Sequence, residues 1–207
     1  MLFRSGDGKL TRAEVPEDVT FKWRKNVPDG ILGNHLPWRW LLFTLFHPAQ
    51  EDVFTKEDWK QVEEFVARNP NNLMAIRPGG DGNISKSHRA WKGTRGIPDM
   101  PSPLWYRGRV YLIMDGGMLT SYDSTSGRLL MDRERIGVTS QFVASPVAAG
   151  GNIYVSSLPG KIAVIKTADA LEVIAVNDLK ESITATPAIL DGKIYVRTAE
   201  RLSAFGR

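Results

Sequence analysis

Four residues near the start of the chain have the types and spacing of a calcium loop: Ser5, Asp7, Lys9 and Glu14. A hard divalent cation takes oxygen ligands at alternate loop positions, a glycine for the sharp turn, and a closing carboxylate on the helix that follows. Asp7 and Gly8 fill the fifth and sixth places of such a loop, the Lys9 carbonyl the seventh, Leu10 the eighth and Glu14 the bidentate twelfth. Phe3 stands where the first aspartate belongs and Ser5 holds the third place, so any calcium is expected to bind weakly. Thr11-x-x-Glu14 is also a capping box, which starts a helix with no metal at all. Both readings stand on these residues. No other set is spaced for chemistry. His35, His47 and His88 share no metal or triad spacing with each other or with a serine. Asp99, Asp115, Asp123 and Asp191 lie in or beside turn sequences, where aspartate serves backbone geometry.

The elements that hold this loop repeat. Phe54-Thr55-Lys56-Glu57-Asp58-Trp59 returns 44 residues after Leu10-Thr11-Arg12-Ala13-Glu14-Val15. The half upstream of the second phrase has Asp52 where glycine belongs and His47 where aspartate belongs, so it is not expected to bind. The two phrases resemble a degenerate pair of EF-hands, whose loops are joined by a short sheet through the eighth position, here Leu10 and Phe54. A helix is expected over Lys56–Arg68, with Trp59, Val62 and Val66 on one core-facing stripe and Phe65 beside them. Another is expected near Trp38–Phe46. Asn69-Pro70-Asn71-Asn72 ends this part, so residues 1–68 read as an EF-hand-like helical segment and residues 69–207 as a separate domain.

That second part says nearly the same thing three times. Ser102-Pro103, Ser145-Pro146 and Thr186-Pro187 sit 43 and 41 residues apart. Each is followed by a turn and a strand, Gly108-Arg-Val-Tyr111, Gly151-Asn-Ile-Tyr154 and Gly192-Lys-Ile-Tyr195. A third strand follows in each copy, Leu119–Tyr122, Ile162–Ile165 and Leu202–Phe205. A fixed period of about 40–50 residues built from short strands and glycine turns is the mark of propeller blades. In one full blade the strands are expected at Pro103–Tyr106, Arg109–Met114, Met118–Tyr122 and Arg128–Met131; Ser145–Val176 makes a second. Ile153, Ile162 and Ile194 are expected in the core, with Tyr111, Tyr154 and Tyr195 in equivalent places. Asp191-Gly192 is the strongest hairpin turn, since both central positions take positive φ. Leu73–Ile76 is a fourth copy of the third strand, and Trp91 closes that blade after an enlarged turn, Pro78–His88. The fold class is therefore mainly β: a partial β-propeller of four-stranded antiparallel blades, about two full and two half, behind a small helical segment.

Ser121-x-Asp123-x-x-Ser126-Gly127-x-x-x-Met131 resembles the repeat of the pyrroloquinoline-quinone (PQQ) propellers, Ala-x-Asp-x-x-Thr-Gly-x-x-x-Trp. The resemblance covers residues 73–207 and is nearest to PQQ-like repeat proteins of the BamB type. In that family the glycine shapes a hairpin and the tryptophan docks one blade on the next. Met131 replaces the tryptophan here, Trp91 alone keeps it, and the next blade has Lys166, Asp169, Ala170 and Ile174 at the marked positions. The resemblance implies a periplasmic or extracellular protein, and two functions follow from it. One is a non-catalytic binding scaffold with a protein or other ligand on the propeller face. The alternative is a fragment of a PQQ-dependent quinoprotein dehydrogenase. Quinone chemistry needs a base beside the ring, carboxylate and amide ligands for calcium and an aromatic floor. No Asp or Glu stands in an apolar neighbourhood with an adjacent Asn and Trp, so no PQQ site is assigned and the scaffold is favoured.

Composition narrows the partners. The net charge is +4, 42% of residues are hydrophobic and 24% charged, as in ordinary globular proteins. Arg77, Lys86, Arg89, Lys92 and Arg95 fall in one Gly- and Ser-rich stretch with only Trp91 among them, which reads as a solvated face and not a nucleic-acid surface. The absence of cysteine excludes disulfides and thiolate metal sites. The longest apolar run, Leu41–Phe46, is far short of the ~20 residues of a membrane span, and no signal peptide is visible. Two half-blades and a calcium loop lacking its first half raise the expectation of a chain truncated at its start, its first blades missing. Such an open arc is expected to associate through its exposed edges.

Overall fold

The structure, a computed structural model, describes residues 9–18, 20–22, 35–46, 52–68 and 71–206. The chain forms two compact units, Met1–Lys25 with Asp29–Pro70, and Asn26–Pro28 with Asn71–Arg207. Among the described residues no helix is long and apolar enough to cross a membrane.

The first unit contains strands β1 (Lys9–Thr11), β2 (Thr20–Lys22), β3 (His35–Pro37) and β4 (Val53–Thr55). Its helices are α1 (Trp38–Trp40), which runs on as a π-helix over Leu41–Phe46, and α2 (Lys56–Arg68). Strands β1 and β4 pair antiparallel with Leu10 opposite Phe54, and β2 pairs with β3. Leu10, Val15, Leu42, Phe43 and Phe54 are buried together, with Trp38 and Trp59 packed against them. The helix expected after the first phrase is only one 3-10 turn, Arg12–Glu14. The reason is Pro16: a proline ring drives the residue before it out of the helical region, and Val15 sits at φ −89°, ψ 111°. Trp59 joins the core as expected, whereas the side chains of Val62, Phe65 and Val66 lie outside the described residues.

The second unit is a row of antiparallel sheets. Strands β5 (Leu73–Ile76) and β6 (Arg89–Gly93) make the first blade's pair. The second blade is β7 (Leu104–Tyr106), β8 (Arg109–Met114), β9 (Met118–Asp123) and β10 (Leu129–Arg135), in that order across the sheet. The third is β11 (Val147–Ala149), β12 (Asn152–Ser156), β13 (Lys161–Lys166) and β14 (Glu172–Asp178). The fourth has β15 (Ala188–Leu190), β16 (Lys193–Arg197) and β17 (Leu202–Gly206). β7 begins at Leu104 and not Pro103, which has no N–H to offer the ladder.

Turn chemistry sets this register. The hairpins into β8, β12 and β16 all turn through two positive-φ residues, Arg107-Gly108 (49°, 76°), Gly150-Gly151 (58°, 86°) and Asp191-Gly192 (49°, 73°). Such turns match the twist of the strands they join. They place Leu104 opposite Tyr111, Val147 opposite Tyr154 and Ala188 opposite Tyr195. Alternation then sorts each blade's two faces. Tyr111, Ile113 and Leu119 pack against Ile153, Val155 and Ala163 of the third blade, while Leu112 and Tyr122 are buried on the opposite face. Ile162 faces the fourth blade, packing with Ile183 and Val196. Ile153 and Ile162 are buried, but Ile194 only half so, and Tyr154 and Tyr195 are more exposed than Tyr111.

The segments between blades are stitched on both sides. Gly116 N–H donates to the Ser140 carbonyl (2.7 Å), and Leu158 N–H donates to the Gln141 carbonyl (2.9 Å), so one linker holds two hairpins. The next repeats the pattern, with Ile183 N–H to the Leu158 carbonyl and Ala199 N–H to the Ser182 carbonyl. At the repeated Ser/Thr-Pro, Ser102 N–H donates to Ser145 Oγ (2.8 Å) and Ser145 N–H to Thr186 Oγ1 (3.0 Å). The Ser145 and Thr186 hydroxyls thus each cap the step of the blade before.

Candidate functional site

The loop residues of the first unit come first. Lys9 lies on β1 and Glu14 on the 3-10 turn; Ser5 and Asp7 lie outside the described residues. The Glu14 carboxylate accepts hydrogen bonds from the Thr11 N–H (2.7 Å) and hydroxyl (2.8 Å), which is the capping box in place. The second phrase does the same with Asp58: its Oδ2 accepts from Thr55 N–H and hydroxyl (both 2.7 Å), and Asp58 N–H donates back to Thr55 Oγ1 (3.2 Å). The loops are also tied by charge. Arg12 Nε donates to Asp52 Oδ1 (2.6 Å), and its guanidinium lies 5.0 Å from the Phe43 ring centre. Of the four candidate ligands, two therefore lie in the described residues, one on the strand and one on the turn that follows it.

In the propeller the aspartates serve the fold. Asp123 Oδ1 accepts from the Ser126 hydroxyl and N–H (both 2.7 Å) and Thr125 N–H (3.2 Å), closing the turn into β10. The Ser126 hydroxyl holds that carboxyl below its usual pKa. The Arg95 guanidinium does the same to Asp132, and Arg201 followed by Thr198 to Glu181. Asp115 Oδ1 accepts from Phe142 N–H (2.7 Å), and Asp99 from the Asn71 side-chain amide (3.2 Å). His88 sits beside Ser87 Oγ (2.8 Å), with its ring against Gly80. Among the described residues no three His, Cys, Asp or Glu side chains gather as for a metal.

Trp91 acts where its spacing puts it. It stands opposite Ala75, as Met131 stands opposite Ser121 one blade on. Its ring stacks on Tyr122, centroids 6.0 Å apart and planes 18° apart, and its Nε1 donates to the Ser124 carbonyl (3.0 Å). The ring lies directly on Gly127. The Tyr122 hydroxyl then donates to the Arg95 carbonyl (2.7 Å) and accepts from Arg95 N–H (2.9 Å).

Two surface features carry no signal in the repeat. Trp105, in the innermost strand of the second blade, is 64% exposed. Its neighbours Leu104 and Tyr106 pack against the core, and strand alternation turns Trp105 away from them; its counterparts in the next blades are the smaller Ala148 and Ile189. A crevice of about 690 Å³ lies between the third and fourth blades, walled by Tyr154, Ile162, Val164, Leu179, Ile194 and Phe205, with Asp178 and Lys193 in its lining. Its apolar lining suits an apolar side chain or segment. The Tyr111 hydroxyl is buried without a hydrogen bond of normal geometry among the described residues, as are those of Ser121, Ser140 and Ser156; burial pushes its pKa up, and the nearby Arg109 guanidinium opposes the shift. A buried hydroxyl without a well-formed hydrogen bond is a cost, so Tyr111→Phe should leave stability unchanged or raise it by up to about 1 kcal/mol in denaturant unfolding. A marked loss would mean the hydroxyl is paired with Arg109.

No protein-family model and no curated protein matches the chain. Among solved structures it is similar to BamB from Moraxella catarrhalis, with a TM-score of 0.51 and 18% identity over 67% of this chain. The match covers 42% of that chain, so this chain spans less than half of its relative's length. A computationally designed protein, Ika4 (TM-score 0.47, 12% identity, 60% of this chain and 76% of that one), falls below the level at which a superposition carries an argument. So does a europium-containing methanol dehydrogenase (0.38, 11%, 53% and 21%). At these identities the likeness shows the fold: residues 71–206 are a partial β-propeller of the BamB-like architecture.

Proposed function

We propose that the propeller blades serve as a non-catalytic binding scaffold, working outside the cytoplasm on a protein partner. The observation that supports this reading is how the carboxylates are used. Asp115, Asp123, Asp132 and Glu181 each hold a backbone N–H, a hydroxyl or an arginine, and the three with displaced pKa values are pulled down. A general base at neutral pH needs the opposite displacement. Trp105 offers what a scaffold needs: a large exposed aromatic on a rigid strand, the residue type that dominates binding hot spots. The compartment rests on the resemblance of the repeat alone. The test is to add PQQ and calcium to the purified chain and follow quinone absorbance and dye-linked alcohol oxidation. Neither saturable binding nor turnover is expected; both together would replace the scaffold with a quinoprotein.

The paired loops of the first unit fit a degenerate EF-hand pair, because β1 and β4 join at Leu10 and Phe54 and both phrases close capping boxes. Calcium fits the donor set only in part. The Lys9 carbonyl and Glu14 are placed, Ser5 and Asp7 are further ligands by sequence, and Glu14 already accepts from Thr11. With so few carboxylates, affinity should lie toward the ~10⁻³ M end of the range for such loops. Submicromolar binding by calorimetry, lost in Glu14→Gln, would contradict this.

A further inference from the structure

Two neighbouring junctions in the propeller are built from different chemistry. At the first, the Trp91 ring is seated on Gly127 and its N–H caps the Ser124 carbonyl, in the turn between β9 and β10. At the second, Met131 holds the equivalent position, 4% exposed but with no N–H to give, and Ala170 replaces the seat glycine. The equivalent turn, between β13 and β14, is reached instead by Arg109 at the start of β8. Its Nη1 donates to the Ala168 carbonyl (2.8 Å) and its Nη2 pairs with Asp169. We infer that Arg109 is a charge-based clasp performing at the second junction the task Trp91 performs at the first, and that this makes the turn between β13 and β14 more salt-sensitive than the turn between β9 and β10, the Arg95–Asp132 pair of the first junction lying outside that turn.

Magnitudes decide which half of the clasp matters. The Asp169 side chain is 96% exposed, so the ion pair contributes little and is screened by salt. The Arg109 side chain is only 22% exposed, and its charge-assisted bond to a backbone carbonyl is the stronger contact. Asp169 steers the guanidinium and Ala168 holds it. A planar fork meets both acceptors at once, which a lysine ammonium at this reach does not. Asn152 and Lys193 occupy the same position in the next two blades, so the clasp belongs to this junction.

Amide hydrogen exchange on the whole chain tests this without any mutation. Raising salt from about 0.05 to 1 M cuts the screening length to about 3 Å. Exchange over residues 166–172 should speed up by about two- to fivefold, the size of a weak exposed pair, and by more than over residues 123–128. Arg109→Gln should produce still faster exchange at low salt and abolish the salt response; Asp169→Asn, a change at an exposed side chain, should show at low salt the rate that the parent chain reaches at high salt, and no further response. Adding Met131→Trp and Ala170→Gly to Arg109→Gln should slow exchange again by rebuilding the aromatic seat. Equal salt responses of the two turns, or unchanged exchange over 166–172 in Arg109→Gln, would overturn the inference.

Discussion

Ile153→Ala should lower the unfolding free energy by about 2–5 kcal/mol, the range for emptying a well-packed aliphatic site. Ile153 is fully buried between the second and third blades, in one cluster with Tyr111, Ile113, Leu119, Val155 and Ile165. The flanking hairpins are pinned to their linkers by backbone hydrogen bonds, so the cavity has little room to collapse. The control is Ile174→Ala on β14, where the side chain is 53% exposed and the cost should stay within about 0.5 kcal/mol. Equal effects in denaturant unfolding would mean that the blade register is wrong.

Gly127→Ala should be the other large loss, about 2–4 kcal/mol from two causes. Gly127 has φ +72°, where a Cβ costs roughly 1–2 kcal/mol. That Cβ would also lie 2.6 Å from Trp91 Cγ, so the indole must leave its seat, an overpacking cost of about 1–3 kcal/mol. A ring forced off Gly127 loses its stack on Tyr122 and its bond to the Ser124 carbonyl. Trp91→Ala removes the same contacts without the strained backbone, so the double variant should cost less than the sum of the two. Additive losses would show that ring and glycine do not meet.

Much of the propeller was legible because its turns are written in residue types. Positive-φ pairs such as Asp191-Gly192 fix where each hairpin bends, and a fixed bend fixes which residues face each other. That Trp91 docks one blade on the next was legible from the resemblance of the repeat, but that its seat is Gly127 was not, because the glycine reads only as a hairpin residue. Elsewhere the signal was present but outweighed: Thr11-x-x-Glu14 announces a helix, and Val15-Pro16 cancels it after one turn. Arg109 and Asp169 could not be matched by pattern, because they are 60 residues apart and stand where the repeat varies, with Asn152 and Lys193 in the place of Arg109 in later copies. Trp105 was hidden for a different reason. A blade packed between neighbours is apolar on both faces, so an exposed aromatic looks like a core one until the strand's neighbours are placed. Of the calcium loop, Lys9 lies on β1 and Glu14 on the 3-10 turn after it, while Ser5 and Asp7 lie outside the described residues.

The stacking of successive blades through their Ser/Thr-Pro steps is the claim on which the rest depends, and a chain without cysteine allows a clean test of it. Ser102 N–H meets Ser145 Oγ, and Ser145 N–H meets Thr186 Oγ1, so each pair joins neighbouring blades. The measurement is disulfide formation under mild oxidation in three double variants, read as intramolecular bonds by mass spectrometry of the monomer. Ser102→Cys with Ser145→Cys should close, and so should Ser145→Cys with Thr186→Cys, whereas Ser102→Cys with Thr186→Cys, two blades apart, should stay reduced. Closure of the distant pair, or failure of both neighbouring pairs, would contradict the propeller arrangement.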